Sequence, residues 1–194
     1  MNAGILGLQG CCAPHARKFA ELDVDSKRVL YAADLAELDG LVMPGGESST
    51  MLKAATPGLW EAICEFAITK PVWGVCAGCI LMARHVENPP QTSLGLINID
   101  VRRNAYGAQN ESFIDTVELN LAEVVDIDAM FIRAPQIINV DSDVQVLGTH
   151  TGTAIMAESQ QHMVTTFHPE LHSSTAVHEY FVDKMQRQAT AQFL

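Results

Sequence analysis

Cys76 stands at the centre of Gly74-Val75-Cys76-Ala77-Gly78, where an apolar run gives way to a helical pattern. This is the thiol counterpart of the G-x-S-x-G nucleophile elbow, in which flanking glycines permit a sharp turn that lifts the nucleophile above a sheet edge. A helix N-terminus beneath the sulfur favours a thiolate, and the Ala77 N–H points where an oxyanion could sit. A possible base lies far along the chain, in Thr166-Phe167-His168-Pro169-Glu170. Pro169 biases His168 toward extended backbone, where residues i and i+2 share a side. Glu170 is then placed to orient an imidazole that serves as base to the thiol. A third signal is Leu41-Val42-Met43-Pro44-Gly45-Gly46-Glu47-Ser48-Ser49-Thr50. Its double glycine lets backbone N–H groups come close to a ligand, and its Ser/Thr cluster can cap the next helix.

Each signal also has a plainer reading: a buried structural cysteine, a surface His-Pro turn, a capped βα turn. Cys76-Ala77-Gly78-Cys79 is in addition a C-x-x-C after a strand, which in an α/β protein can mean thiol-disulfide exchange. That reading leaves His168-Pro169-Glu170 and Gly45-Gly46-Glu47 without a role, and Cys79 reads as a small apolar residue on the first helical turn. The chain lacks a P-loop, and Gly4, Gly7 and Gly10 do not form the dinucleotide fingerprint. The remaining histidines, with His162, His172 and His178 read as solvated, have no zinc-like spacing.

Elements of α/β type must position these residues. Short apolar runs at Gly4–Leu8, Arg28–Tyr31, Gly40–Met43 and Val72–Val75 read as strands of a parallel sheet covered on both faces. Helical patterns alternate with them: one around Ala16–Asp23, one over Trp60–Ala67, and one over Cys79–Arg84 after the elbow. The second half predicts strands at Leu94–Arg103, Ser112–Leu119, Ala129–Ala134, Val144–Thr149, Thr153–Ala157 and Met163–Phe167, then a closing helix over Thr175–Ala189. A parallel, doubly wound half thus runs into a more antiparallel one.

Composition narrows the function classes. Among 194 residues, 12 Lys+Arg against 23 Asp+Glu give a net charge of −11, the wrong sign for a phosphate-backbone binder. Aromatics at 6% are too few for base-stacking platforms. Neither nucleic acid nor membrane is expected as a partner, and no apolar run approaches the ~20 residues that span a bilayer. Five cysteines, two of them adjacent, make a poor disulfide framework and suit a reducing, cytoplasmic setting.

The double-glycine strand tip, the G-x-C-x-G elbow and the distant H-P-E together resemble class I, triad-type glutamine amidotransferases. Within that class the chain is similar to the glutaminase subunits of pyridoxal 5′-phosphate synthase over nearly its whole length. The resemblance rests on Gly4-Ile5-Leu6-Gly7-Leu8-Gln9-Gly10, Pro44-Gly45-Gly46-Glu47-Ser48, Cys76-Ala77-Gly78, Leu94-Gly95-Leu96 and Arg103-Asn104 with Gly107. It continues through Glu111-Ser112-Phe113, Phe131-Ile132-Arg133-Ala134-Pro135 and Phe167-His168-Pro169-Glu170-Leu171. It implies a three-layer, flavodoxin-like α/β fold, a mixed central sheet with helices on both faces, and one glutaminase domain over residues 1–194. It implies Cys76 as nucleophile, His168 as general base and acid, and Glu170 as the residue orienting it. L-Glutamine would be held by Gly46, Glu47, Ser48, Arg103, Ile132 and Arg133, with the oxyanion hole at the Gly46 and Ala77 N–H groups. An arginine fork suits the substrate carboxylate, and an acidic side chain its ammonium. No metal or bound cofactor is implied; the implied partner is a (βα)8-barrel synthase subunit in a hetero-oligomer that receives the ammonia. Departures from the family pattern at Cys11-Cys12, Cys79, Tyr106 and His172-Ser173-Ser174 are expected to touch none of these catalytic residues.

Overall fold

The structure, a computed structural model, describes residues 1–103 and 112–191; Asn104, Tyr106, Gly107 and Glu111 of the motifs above lie outside them. A strand covered on both faces needs apolar side chains at every position, and β3 (Gly40–Met43) and β4 (Val72–Val75) are buried throughout. Successive side chains enter opposite cores. Leu41 and Met43 join Leu6, Met51, Leu59 and Ile63, whereas Val42 joins Ile5, Phe19, Trp73, Phe167 and Phe181. β1 (Asn2–Leu6) lies parallel between β2 (Asp25–Val29) and β3, and β12 (Met163–Thr165) extends the parallel region beyond β4. Antiparallel β11 (Thr153–Glu158), β10 (Gln145–His150), β7 (Ser112–Asn120) and β8 (Val124–Ile132) complete a sheet of order β2-β1-β3-β4-β12-β11-β10-β7-β8 among the described residues.

Helices cover both faces. α1 (Cys12–Glu21) and α5 (Ala176–Ala191) bury Phe19, Val177, Phe181 and Met185 in one core. α2 (Ser48–Ala54), α3 (Leu59–Ala67) and α4 (Ala77–Met82) bury Met51, Leu59, Ile63 and Leu81 in the other. This is the mixed three-layer architecture that the resemblance implied. No helix among the described residues is long and apolar enough to cross a membrane.

Several expected boundaries move. β2 starts at Asp25, not Arg28, because it is an edge strand whose first four residues are exposed, so no apolar run marks it. The elbow helix stops at Met82. Arg84, expected in that helix, lies in β5 (Ala83–Glu87), which pairs in parallel with β6 (Ile97–Arg102). With β9 (Gln136–Val140), unanticipated from the sequence, these strands form a second, three-stranded sheet. Pairing with a distant strand overrides the helical continuation that local spacing suggests.

Candidate active site

β4 ends at Val75 and α4 begins at Ala77, so Cys76 alone turns the chain, with φ 49° and ψ −99°. Such backbone costs a non-glycine residue on the order of 1–3 kcal/mol and is kept where the surroundings over-determine it. Those surroundings are the two glycines. A Cβ on Gly74 would lie 2.6 Å from the Gly78 carbonyl carbon, and one on Gly78 would lie 1.9 Å from the Met43 carbonyl oxygen. The Cys76 N–H donates to Thr165 O at 2.8 Å, fastening the elbow to β12, and its thiol reaches Ile132 O at 3.9 Å.

His168 follows β12 and donates its backbone N–H to Met130 O of β8 at 2.9 Å. Its Nδ1 lies 2.8 Å from Glu170 Oε1. The two side chains do meet, but not along extended backbone, because Pro169–Leu171 form a 3₁₀ turn. Burial works to lower the His168 pKa, yet hydrogen bonds with Cys11, Cys76 and Glu170 outweigh it and raise the pKa above that of a free imidazole. For Glu170, burial works upward, but the His168 hydrogen bond and the fields of His15 and His168 hold the carboxyl below its ordinary value. A protonated imidazole beside a charged carboxylate is the outcome.

The glycine loop makes room for this pair. A Cβ on Gly45 would sit 2.2 Å from His168 Cε1, and one on Gly46 would sit 2.4 Å from Gln9 Oε1. Gln9 Oε1 accepts the Glu47 N–H at 2.7 Å, and the Cys11 N–H donates to Gly45 O at 3.2 Å. The Ser/Thr cluster does not cap α2. Glu47 does, its carboxylate accepting from the Ser49 N–H at 3.4 Å and the Ser49 hydroxyl at 2.9 Å.

All six residues expected to contact glutamine, Gly46, Glu47, Ser48, Arg103, Ile132 and Arg133, line one cleft together with Cys76. Arg103 Nη2 meets Glu47 Oε1 at 3.2 Å, so both charges needed for a zwitterion stand side by side. Ser48 is buried and donates to Gln91 Oε1 at 2.9 Å. A larger groove of about 430 Å³ beside Lys184 and Arg187 shares none of these residues. Its Lys184 is already paired with Glu158 at 2.7 Å. One potential metal-ligating group occurs among the described residues: Cys11, His168 and Glu170, with ligand atoms within 4.8 Å of one another. Two of its members are the hydrogen-bonded imidazole and carboxylate just described.

Sequence reasoning missed five contributors. Ile80 of α4 lines the cleft, and Gln9 braces the loop. Cys11, read as touching no catalytic residue, has its sulfur within 4.8 Å of ligand atoms of His168 and Glu170 and helps to raise the His168 pKa. His15 and His178 are fully buried behind Glu170, and His162 is buried with its Nδ1 accepting the Val72 N–H at 3.2 Å. The expectation that His162 and His178 are solvated is therefore wrong, whereas His172 stays partly exposed. A histidine pair separated by 163 residues has no local signature to find.

The model of the SNO glutamine amidotransferase family matches residues 5–187. The chain belongs to that family. It is 42% identical over 189 residues to the pyridoxal 5′-phosphate synthase subunit PdxT of Brevibacillus brevis, covering 96% of this chain and 98% of the relative. A crystal structure of a glutamine amidotransferase superposes with a TM-score of 0.88 at 30% identity, covering 95% of this chain and 98% of that one. PurLQS from Thermotoga maritima, 13% identical with a TM-score of 0.63 over 100% of this chain and 98% of that one, shares the fold alone. For an SNO family member, a cleft that carries a thiol beside a charge pair is the place to look for amide chemistry.

Proposed function

We propose that the chain hydrolyses L-glutamine to L-glutamate and ammonia through a triad of Cys76, His168 and Glu170. The ammonia then passes to a (βα)8-barrel pyridoxal 5′-phosphate synthase subunit in a cytoplasmic hetero-oligomer. The observation that supports this reading is the buried His168–Glu170 pair, Nδ1 to Oε1 at 2.8 Å, whose imidazole is influenced by Cys76, beside a cleft lined by Cys76, Glu47, Arg103 and Arg133. The relatives' designation as pyridoxal 5′-phosphate synthase subunits supports the partner.

In this mechanism Arg103 and Arg133 take the substrate α-carboxylate and Glu47 its ammonium, setting the side-chain amide against Cys76. Ser48 and Ile132 complete the walls. The thiolate adds to the amide carbon, and the oxyanion is received by the Ala77 and Gly46 N–H groups. His168 gives its proton to the nitrogen, the C–N bond breaks and ammonia leaves a γ-glutamyl thioester. His168, now neutral, takes a proton from water. The hydroxide adds to the thioester, and glutamate departs as the thiolate is restored. Thiol-disulfide exchange loses support because Cys79 is fully enclosed in the core opposite the one that holds Cys76. Burial also drives the Cys79 thiol far above its ordinary pKa.

The test is ammonia release from L-glutamine with the synthase subunit present. Cys76→Ala should abolish it, and His168→Ala should lower it by about 10²–10⁴-fold. Glu170→Gln, which keeps shape but loses charge, should leave more residual activity. An electrophilic glutamine analogue should label Cys76 alone among the cysteines. Labelling at Cys79, or turnover surviving in Cys76→Ala, refutes the assignment.

A further inference from the structure

Glu170 spends one oxygen on His168, and its other oxygen faces a second, enclosed imidazole. His15 of α1 and His178 of α5 are both 0% exposed, with His15 Nδ1 and His178 Nε2 2.9 Å apart. Trp73 stands edge-on to both rings. His15 Nε2 lies 3.7 Å from Glu170 Oε2. Those two atoms are buried and have no other hydrogen-bond partner. A buried polar atom without a partner is costly, so two such atoms facing each other mark a contact one small adjustment from a hydrogen bond.

Tautomer logic sets its direction. Burial holds both histidines neutral, near pKa 3. One proton then lies between His15 Nδ1 and His178 Nε2. Were it on His15, the bare lone pair of Nε2 would point at the Glu170 carboxylate and repel it. With His178 Nε2 as donor, His15 Nδ1 accepts and Nε2 carries an N–H toward Glu170.

We infer that His15 is a positioning residue for the triad carboxylate and that His178 sets its tautomer, extending the chain to Cys76–His168–Glu170–His15–His178. This rests on the reading of Glu170 as the third triad member. The chemistry of the donor matters. A cation at this position would draw the carboxylate's charge away from the His168 imidazolium. A neutral imidazole instead restrains Oε2 and leaves the full negative charge for His168.

Two substitutions of similar bulk separate donation from packing: His15→Leu without an N–H, and His15→Gln with one. With the synthase subunit present, His15→Leu should lower kcat for glutamine hydrolysis about ten-fold, the lower end for a hydrogen bond to a charged group. KM should be unchanged, because no cleft residue is altered. Labelling of Cys76 by the electrophilic glutamine analogue should slow in parallel, and His15→Gln should recover most of both rates. Thermal melts confirm folding. Should His15→Leu not fold, His178→Phe probes the same chain from its far end and should lower kcat at constant KM. Wild-type kcat in the folded Leu or Phe variant, a change confined to KM, or no recovery in His15→Gln overturns the inference. Wild-type turnover in Cys76→Ala or Glu170→Gln would instead overturn the triad on which it stands.

Discussion

Gly45→Ala tests how tightly the imidazole is held. The added Cβ would lie 2.2 Å from His168 Cε1 and 2.9 Å from Nδ1, where ordinary contact begins at 3.4 Å. The ring must therefore retreat by 3.4 − 2.2 = 1.2 Å. It cannot do so freely, because Nδ1 is 2.8 Å from Glu170 Oε1 and the backbone N–H is bound to Met130 O. Either the carboxylate contact or the alignment with Cys76 is lost. A misplacement of about 1 Å costs on the order of 10²-fold in rate, equivalent to about 2.7 kcal/mol of activation free energy. Gly45 is not among the positive-φ glycines, so alanine meets no backbone penalty there. The assay is steady-state ammonia release with the synthase subunit present, beside a thermal melt. We expect kcat to fall about 100-fold in a folded protein. A folded Gly45→Ala variant with wild-type kcat would refute the packing argument.

Cys79→Ala should retain most glutaminase activity, since Cys79 lies in the core opposite Cys76; disulfide reductase activity that disappears in this variant would reverse the conclusion. Burial depresses the folded pKa of His15, His162 and His178 to about 3, 4 and 3 from 6.5. The unfolded chain therefore binds protons between pH 6.5 and 4 that the folded chain refuses, and stability should fall as pH drops through that window. The slope is at most about 1.4 kcal/mol per pH unit for each histidine. His168, raised in the fold, acts in the opposite sense and only above pH 6.5. Equal urea midpoints at pH 7 and pH 5 would contradict this. Finally, the Cys11 N–H holds Gly45 O, so the Gly46 N–H of the same trans peptide points the opposite way. If docking of the synthase subunit reorients that peptide toward the oxyanion, turnover should rise by about 10²–10³-fold on its addition. Equal rates with and without it exclude such gating, and a Gly46→Ala variant that still responds fully places the switch elsewhere.

The residues of the proposed triad stand out in the sequence because each sits in a local signature with a steric reason. Gly74 and Gly78 flank Cys76 because side chains there would strike the Gly78 and Met43 backbone. His168 and Glu170 are adjacent enough that one short turn brings them together. Strands β3 and β4 were equally legible, since burial on both faces demands an unbroken apolar run. What local pattern could not decide was everything settled between distant segments. β2 looks polar because it lies at an edge, and Arg84 leaves its helix because β6 offers a parallel partner. Cys11 reaches His168 across 157 positions of sequence only because α1 packs behind the β12 loop. His15 and His178 read as ordinary polar residues until α1 and α5 close over Trp73, and burial, which is a property of the packed pair and not of either residue, makes them neutral. Sequence by itself determined which groups can react. The tertiary structure decided which neighbours hold their charge and aim, because those neighbours meet only when the two helices pack on the same face of the sheet.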